Sequence, residues 1–189
     1  MIPLQYRHEW KHEISVFDVL CLRQRLSSVM TPDPHARGGR YSVRSLYFDD
    51  LRDTALREKL DGVSRREKFR LRCYNGDDSY LVLEKKSKVG GLCAKEQTRL
   101  TRPQAQALLV CDFETLAADP APLMQELLWK MRTRGLRPKT IVDYTREPFV
   151  FAPGNVRVTL DYEIHTGLSS TDFFEFRCPT IPAGDTAAV

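Results

Sequence analysis

Polar and apolar positions alternate with period two through residues 65–74. Arg66, Lys68, Arg70 and Arg72 share one parity, and Phe69, Leu71 and Cys73 share the other. Successive strand side chains point to opposite faces, so this stretch predicts a strand with a cationic face and an apolar face. Residues 80–88 repeat the pattern, with Val82, Glu84, Lys86 and Lys88 against Leu81, Leu83 and Lys85. Residues 92–100 set Lys95, Gln97 and Arg99 against Ala94, Thr98 and Leu100. Asn75-Gly76 is a type I′ hairpin signal and Gly90-Gly91 a second turn, so the three strands form a meander.

Four more strands are predicted at 6–14, 40–49, 140–150 and 156–164, with Pro153-Gly154-Asn155 turning between the last two. The first places Arg7, Glu9, Lys11 and Glu13 together, opposite Tyr6, His8, Trp10 and Ile14. Helices alternate with these strands. Ser15 and Asp18 form a capping-box pattern that opens a helix with apolar positions Val16, Val19, Leu20, Leu22, Leu26 and Val29. Met30 to Pro34 stops it. Shorter helices are predicted at 53–60, at 101–110 behind a Thr101–Gln104 cap, and at 121–132. Residues 169–189 contain Pro179, Pro182 and Gly184 and read as an irregular tail. Seven strands, mostly in hairpins, and about four helices indicate a β-rich α+β fold, with barrel closure as one form of it.

A chain of 189 residues accommodates one domain, and 42% hydrophobic with 29% charged residues gives it a core rather than disorder. Lys and Arg exceed Asp and Glu by 29 to 25, too small an excess to mark a nucleic-acid binder. No apolar run reaches membrane-spanning length, and the first nine residues lack the basic-then-apolar order of a signal peptide, so a cytoplasmic protein is expected. The five cysteines are odd in number and dispersed, which argues for free thiols.

Several neighbouring strands that each carry two to four cations on one face are unusual, because like charges on paired strands repel. One reading is a solvated face whose apolar reverse packs on helices. The other closes the sheet with the charges inward, which requires an anionic ligand to neutralise them. Guanidinium forks and ammonium groups suit a polyphosphate.

Ordered motifs favour the second reading. They are Arg7-His-Glu-Trp-Lys11, Val43-Arg-Ser-Leu-Tyr-Phe-Asp49, Arg57-Glu-Lys-Leu-Asp-Gly62, Arg66-Glu-Lys-Phe-Arg-Leu-Arg72, Leu83-Glu-Lys-Lys86, Tyr144-Thr-Arg146 and Arg157-Val-Thr-Leu-Asp161. Over residues 5–165 this set resembles the VTC domain, the polyphosphate polymerase branch of the triphosphate tunnel metalloenzymes, related to CYTH phosphatases. The resemblance implies one domain over 1–189: an antiparallel eight-stranded barrel with flanking helices, its tunnel lined by Lys and Arg. It implies binding of ATP or another nucleoside triphosphate, and of polyphosphate, with a divalent Mn or Mg. By motif position, Lys11, Arg70, Arg72, Lys86 and Arg146 would be catalytic, and Lys95 and Arg157 would bind phosphate. Arg7, Lys68, Lys88 and Arg99 join them by parity.

Family members have an eighth, L-E-V-K-like strand that carries a metal carboxylate, and no such segment occurs here. The expectation is that the closing strand lies beyond Val189, or that residues 173–177 take its place with Glu175 and Arg177 on one face. Glu9 and Glu84 are candidate metal donors, with ion pairing to tunnel cations as the alternative, and Asp161 has the same two readings. His8 and His12 are expected to be surface or packing residues rather than zinc ligands, and Tyr47, Phe48 and Asp49 core or strand-end residues. A tripolyphosphatase and a non-catalytic polyphosphate- or inositol-phosphate-binding module are the competing functions. A nucleic-acid surface is disfavoured because Phe69 and Tyr80 are placed opposite the cations, leaving Tyr144 alone among them.

Overall fold

The computed structural model describes residues 5–189, apart from the side chain of Arg37. The first half contains β1 (Arg7–His8), β2 (Glu13–Ser15), α1 (Val16–Val29), β3 (Thr31–Pro32), β4 (Tyr41–Asp49), α2 (Thr54–Leu60) and β5 (Arg65–Tyr74). After these come β6 (Asp77–Val89), β7 (Leu92–Leu100), α3 (Arg102–Leu109), α4 (Phe113–Ala117), α5 (Pro122–Arg134), β8 (Arg137–Phe151), β9 (Val156–Thr166), β10 (Ile181–Pro182) and β11 (Thr186–Ala188).

All pairings are antiparallel, and the sheet runs β1-β7-β6-β5-β4-β8-β9-β11-β2. Its two outermost strands, β1 and β2, belong to one N-terminal segment, so the curled sheet comes back on itself there. The ring of ladder bonds is not closed. Arg7 and His8 pair with β7, Glu13 to Ser15 pair with β11, and the segment between lies outside the regular ladder. The predicted single strand over 6–14 is therefore two short pieces, serving opposite edges of the sheet. His12 adds one more link, exchanging backbone hydrogen bonds of 2.8 and 2.9 Å with Val189.

Two apolar layers fix the outer face. Leu46, Phe48, Phe69, Leu71, Leu81 and Leu83 from β4–β6 pack under Leu108, Leu116, Met124, Leu127 and Met131 from α3–α5. Each such side chain contributes roughly 1.5–3 kcal/mol by leaving water. Lys85 pairs with Glu67, Glu96 and Glu126, and Lys130 with Glu67 and Glu126, which ties α5 to the sheet. A second cluster packs Val19, Leu22 and Leu26 of α1 against Phe149, Leu160 and Ala187. The capping boxes at Ser15/Asp18 and Thr101/Gln104 both form. Asn75 and Gly76 turn with φ of 54° and 65°, as a type I′ hairpin requires.

Five α-helices among the described residues replace the expected four, since α4 is too short to show a periodic signal and is set by the Asp112 cap. The tail is more ordered than its prolines suggested: β10 pairs with β9, and Ala188 of β11 lies opposite Asp161 of β9. Residues 173–177 form turns, not an eighth strand. Phe173 is fully buried, and Arg44 holds this segment from the outer face. Its guanidinium forks Asp143 at 2.9 and 2.8 Å, donates to the carbonyl oxygens of Phe173 and Glu175, and stacks on Phe176. No helix among the described residues is long and apolar enough to cross a membrane.

Candidate functional site

Register places the charged residues of the inner face in ranks. Tyr47, Arg70, Glu84 and Gln97 stand opposite one another across β4–β7. One rank toward the β5–β6 hairpin lie Ser45, Arg72, Val82 and Arg99. One rank the other way lie Lys68, Lys86 and Lys95, followed by Arg66, Lys88 and Arg7. On the far side of β4, Tyr144 and Arg146 of β8 continue the face. The meander thus brings together Arg7, Lys68, Arg70, Arg72, Lys86, Lys88 and Lys95 on one face of the sheet, with Arg99 at its rim and Arg146 and Arg157 beside it.

Glu84 is the anchor of this surface, with 1% of its side chain exposed. Arg70 reaches it at 2.7 Å, Lys95 at 3.4 Å and Arg72 at 3.5 Å. Burial raises the carboxyl, but the charges of Arg72, Arg70 and Lys95 outweigh it and bring the group down to about 2. Asp161 forks Arg146 at 2.6 and 2.7 Å, Asp33 holds Arg157 at 2.9 Å, and Glu9 pairs with Lys86. Lys68 has no carboxylate partner among the described residues. Burial lowers its ammonium, and its ring contact is Tyr47 at 5.3 Å. Burial also lowers Lys95, against the pull of Glu84.

Not every expected residue joins the cluster. Lys11 falls between β1 and β2, is exposed, and has no ion-pair partner among the described residues. Arg99 is exposed at the rim, over the ring of Tyr80 at 4.5 Å. His8 stacks on Trp10, and among the described residues no three His, Cys, Asp or Glu converge as a metal cage.

The carboxylates differ in their fitness for a metal. Glu84 and Asp161 are ion-paired in this structure: Arg70 and Arg72 close on Oε2 of Glu84 and Lys95 on its Oε1, and Arg146 engages both oxygens of Asp161. Glu9 is engaged more loosely: its Oε2 is buried without a hydrogen-bond partner, with the Arg7 guanidinium 3.8 Å away. It could serve as a single hard donor to a cation that brings its remaining ligands as phosphate and water.

Tyr80 and Tyr47 are the residues that sequence reasoning misassigned, whereas Tyr144 lies among the cations as expected. Tyr80 shares parity with Glu84, and therefore lies on the cationic face rather than opposite it. Tyr47, Tyr74 and Tyr144 also face inward, beside Arg70, Arg72 and Arg146 respectively. Arg72 donates to the Tyr144 hydroxyl at 2.9 Å, and Arg157 to Tyr41 at 3.4 Å. The aromatic argument against a nucleic-acid surface therefore loses its basis. Period-two counting from Glu84 and Arg72 could have found Tyr80 and Tyr74, whereas placing Tyr47 requires knowing that β4 pairs with β5. Phe48 is a core residue, and Asp49 caps α2 by accepting from the backbone N–H groups of Ala55 and Leu56.

The family model of the VTC domain matches residues 6–177. A candidate adenylate cyclase from Bacillus halodurans superposes with a TM-score of 0.52 at 13% identity, over 85% of this chain and 74% of its own. A candidate adenylyl cyclase from Hippeastrum, described as having a dominant triphosphatase activity, gives 0.50 at 13% identity, over 94% and 76%. Both are similar in fold. No curated protein sequence matches the chain.

Proposed function

The chain belongs to the VTC domain family, and from that premise we propose that it binds nucleoside triphosphate and polyphosphate along its cationic face and moves the γ-phosphate of ATP onto a polyphosphate chain. The observation that carries this reading is the convergence of Arg70, Arg72 and Lys95 on buried Glu84, flanked by Lys68, Lys86 and Arg146. One carboxylate fixes three cations without matching their charge, so the surface is preorganised and still attracts anions.

In the transfer, a terminal oxygen of the acceptor chain bonds to the γ-phosphorus while the bond to the β–γ bridging oxygen breaks and ADP leaves. Such chemistry asks for alignment and charge stabilisation rather than a protein nucleophile. Arg70 and Arg72 supply forked donors for phosphate oxygens, and Lys86, Lys95 and Lys68 add positive charge along the path. Arg146 extends it across β8, with Arg157 at the rim. Arg7, Lys88 and Arg99 are placed to meet a chain entering or leaving. Lys11 would have to swing in from its exposed segment to take part. A Mn or Mg ion, when bound, would neutralise phosphate charge, and Glu9 is the residue suited to hold it. The domain would act in the cytoplasm.

A tripolyphosphatase using the same ligands is the second reading, favoured by the dominant triphosphatase activity of the Hippeastrum protein. Incubation with ATP and Mn²⁺ separates the two. Polyphosphate product supports the polymerase, and free phosphate without polymer supports the hydrolase. Neither product, with tripolyphosphate binding retained, assigns a polyphosphate- or inositol-phosphate-binding module.

A further inference from the structure

Tyr47 stands in the central rank of the face, and its hydroxyl receives a hydrogen bond of 3.1 Å from Arg70. Its ring lies 5.3 Å from the Lys68 ammonium and 5.9 Å from the Arg70 guanidinium. From β5 it faces Lys68, Arg70 and Arg72. From β8 the register partner is uncharged Thr140, with Tyr144 further along and bonded to Arg72. Glu84 reaches this group only through Arg70. The phenol is thus crowded by cations, with no carboxylate hydrogen-bonded to it. Burial raises the phenol, but the charges of Arg70, Lys68 and Arg72 together with the Arg70 hydrogen bond overcome it and bring it down to about 7.

We propose that Tyr47 is a phosphate-contacting residue that takes up a proton as the anion binds. In the free protein the phenolate oxygen supplies negative charge to Arg70 and Lys68. An arriving phosphate competes for the same cations and repels the phenolate, which accepts a proton from solvent. The resulting O–H then donates to a phosphate oxygen. No bond other than the new O–H forms, and the charge of the bound phosphate replaces that of the phenolate. The inference rests on the phosphate-binding reading of this face and adds to it a proton and a named donor.

The test is calorimetric titration of tripolyphosphate at about pH 8, a unit above the phenol's value, in two buffers of different ionisation enthalpy. Wild type and Tyr47→Phe are compared, since phenylalanine keeps the ring against Lys68. The wild type should take up close to one proton more than the variant, and its affinity should fall up to about tenfold more per pH unit above neutrality. Equal uptake by two chains that both bind overturns the role of Tyr47 and leaves the phosphate reading intact. No binding by the wild type overturns the phosphate reading, and this inference with it. Phenolate absorbance of the wild type alone gives a second readout should the variant not fold. A band present in the free protein and lost on adding tripolyphosphate supports the proposal, and an unchanged band contradicts it.

Discussion

Glu84 holds Arg70 through two nitrogens on one oxygen, with Nε and a terminal guanidinium nitrogen both 2.7 Å from Oε2. Arg72 and Lys95 close on the same carboxylate, so a single buried anion sets the spacing of three cations. This arrangement fixes the pH dependence of stability. The folded-state value of Glu84, about 2, lies below its ordinary 4.5. Its contribution is complete above about pH 4.5 and disappears as pH falls toward 2, and amounts to roughly 3 kcal/mol. Thermal or urea unfolding of wild type should weaken across that window. Glu84→Gln should be less stable at neutral pH by a comparable amount and should show a flatter acid limb.

Arg44 faces away from the cations and should affect the tail instead. Removing its guanidinium leaves Asp143 half-buried and unpaired, and frees the carbonyl groups of Phe173 and Glu175. Arg44→Ala is expected to cost about 3–5 kcal/mol, as breaking buried pairs does. Limited proteolysis should then cut first in residues 170–180, while a folded fraction retains tripolyphosphate affinity.

How far these features were legible from sequence differs by element. The alternation of Arg66, Lys68, Arg70 and Arg72 against Phe69, Leu71 and Cys73 is a local pattern, and the two faces of β5 follow from it directly. Glu84 is visible as an inward acid, but which cations it pairs with depends on cross-strand register, which no single strand encodes. The role of Arg44 is not legible in the sequence for the same reason, because Asp143 is its partner only once β4 pairs with β8. The break between β1 and β2 carries no proline or glycine and is imposed by the two sheet edges that the segment must reach. The three residues of β11 are too few to show alternation, and Phe173 reads as a loop residue until α3–α5 supply the core around it.

Glu9 is the residue on which metal dependence should turn. Its Oε2, which accepts no hydrogen bond and has the Arg7 guanidinium 3.8 Å away, is the available donor, while Lys86 engages the other oxygen. Burial raises the carboxyl, but the hydrogen bond and charge of Lys86, with Arg7 and Lys68, hold it below the ordinary carboxylate range. It is therefore ionised at neutral pH and competent to bind a cation. Glu9→Gln should reduce the stimulation of activity by Mn²⁺ about tenfold or more, as loss of a charged donor implies, and should leave metal-free tripolyphosphate binding unchanged or stronger. Activity against Mn²⁺ concentration, with binding measured in chelator, checks both halves.

Calorimetric titration of tripolyphosphate into wild type, Arg70→Ala and Arg72→Ala tests the cationic face most directly. Charge-assisted hydrogen bonds of about 1.5–3 kcal/mol predict losses of roughly 10- to 100-fold in each variant, with circular dichroism confirming that the fold persists. Tripolyphosphate affinity equal in all three chains would contradict the assignment of this face as the phosphate site.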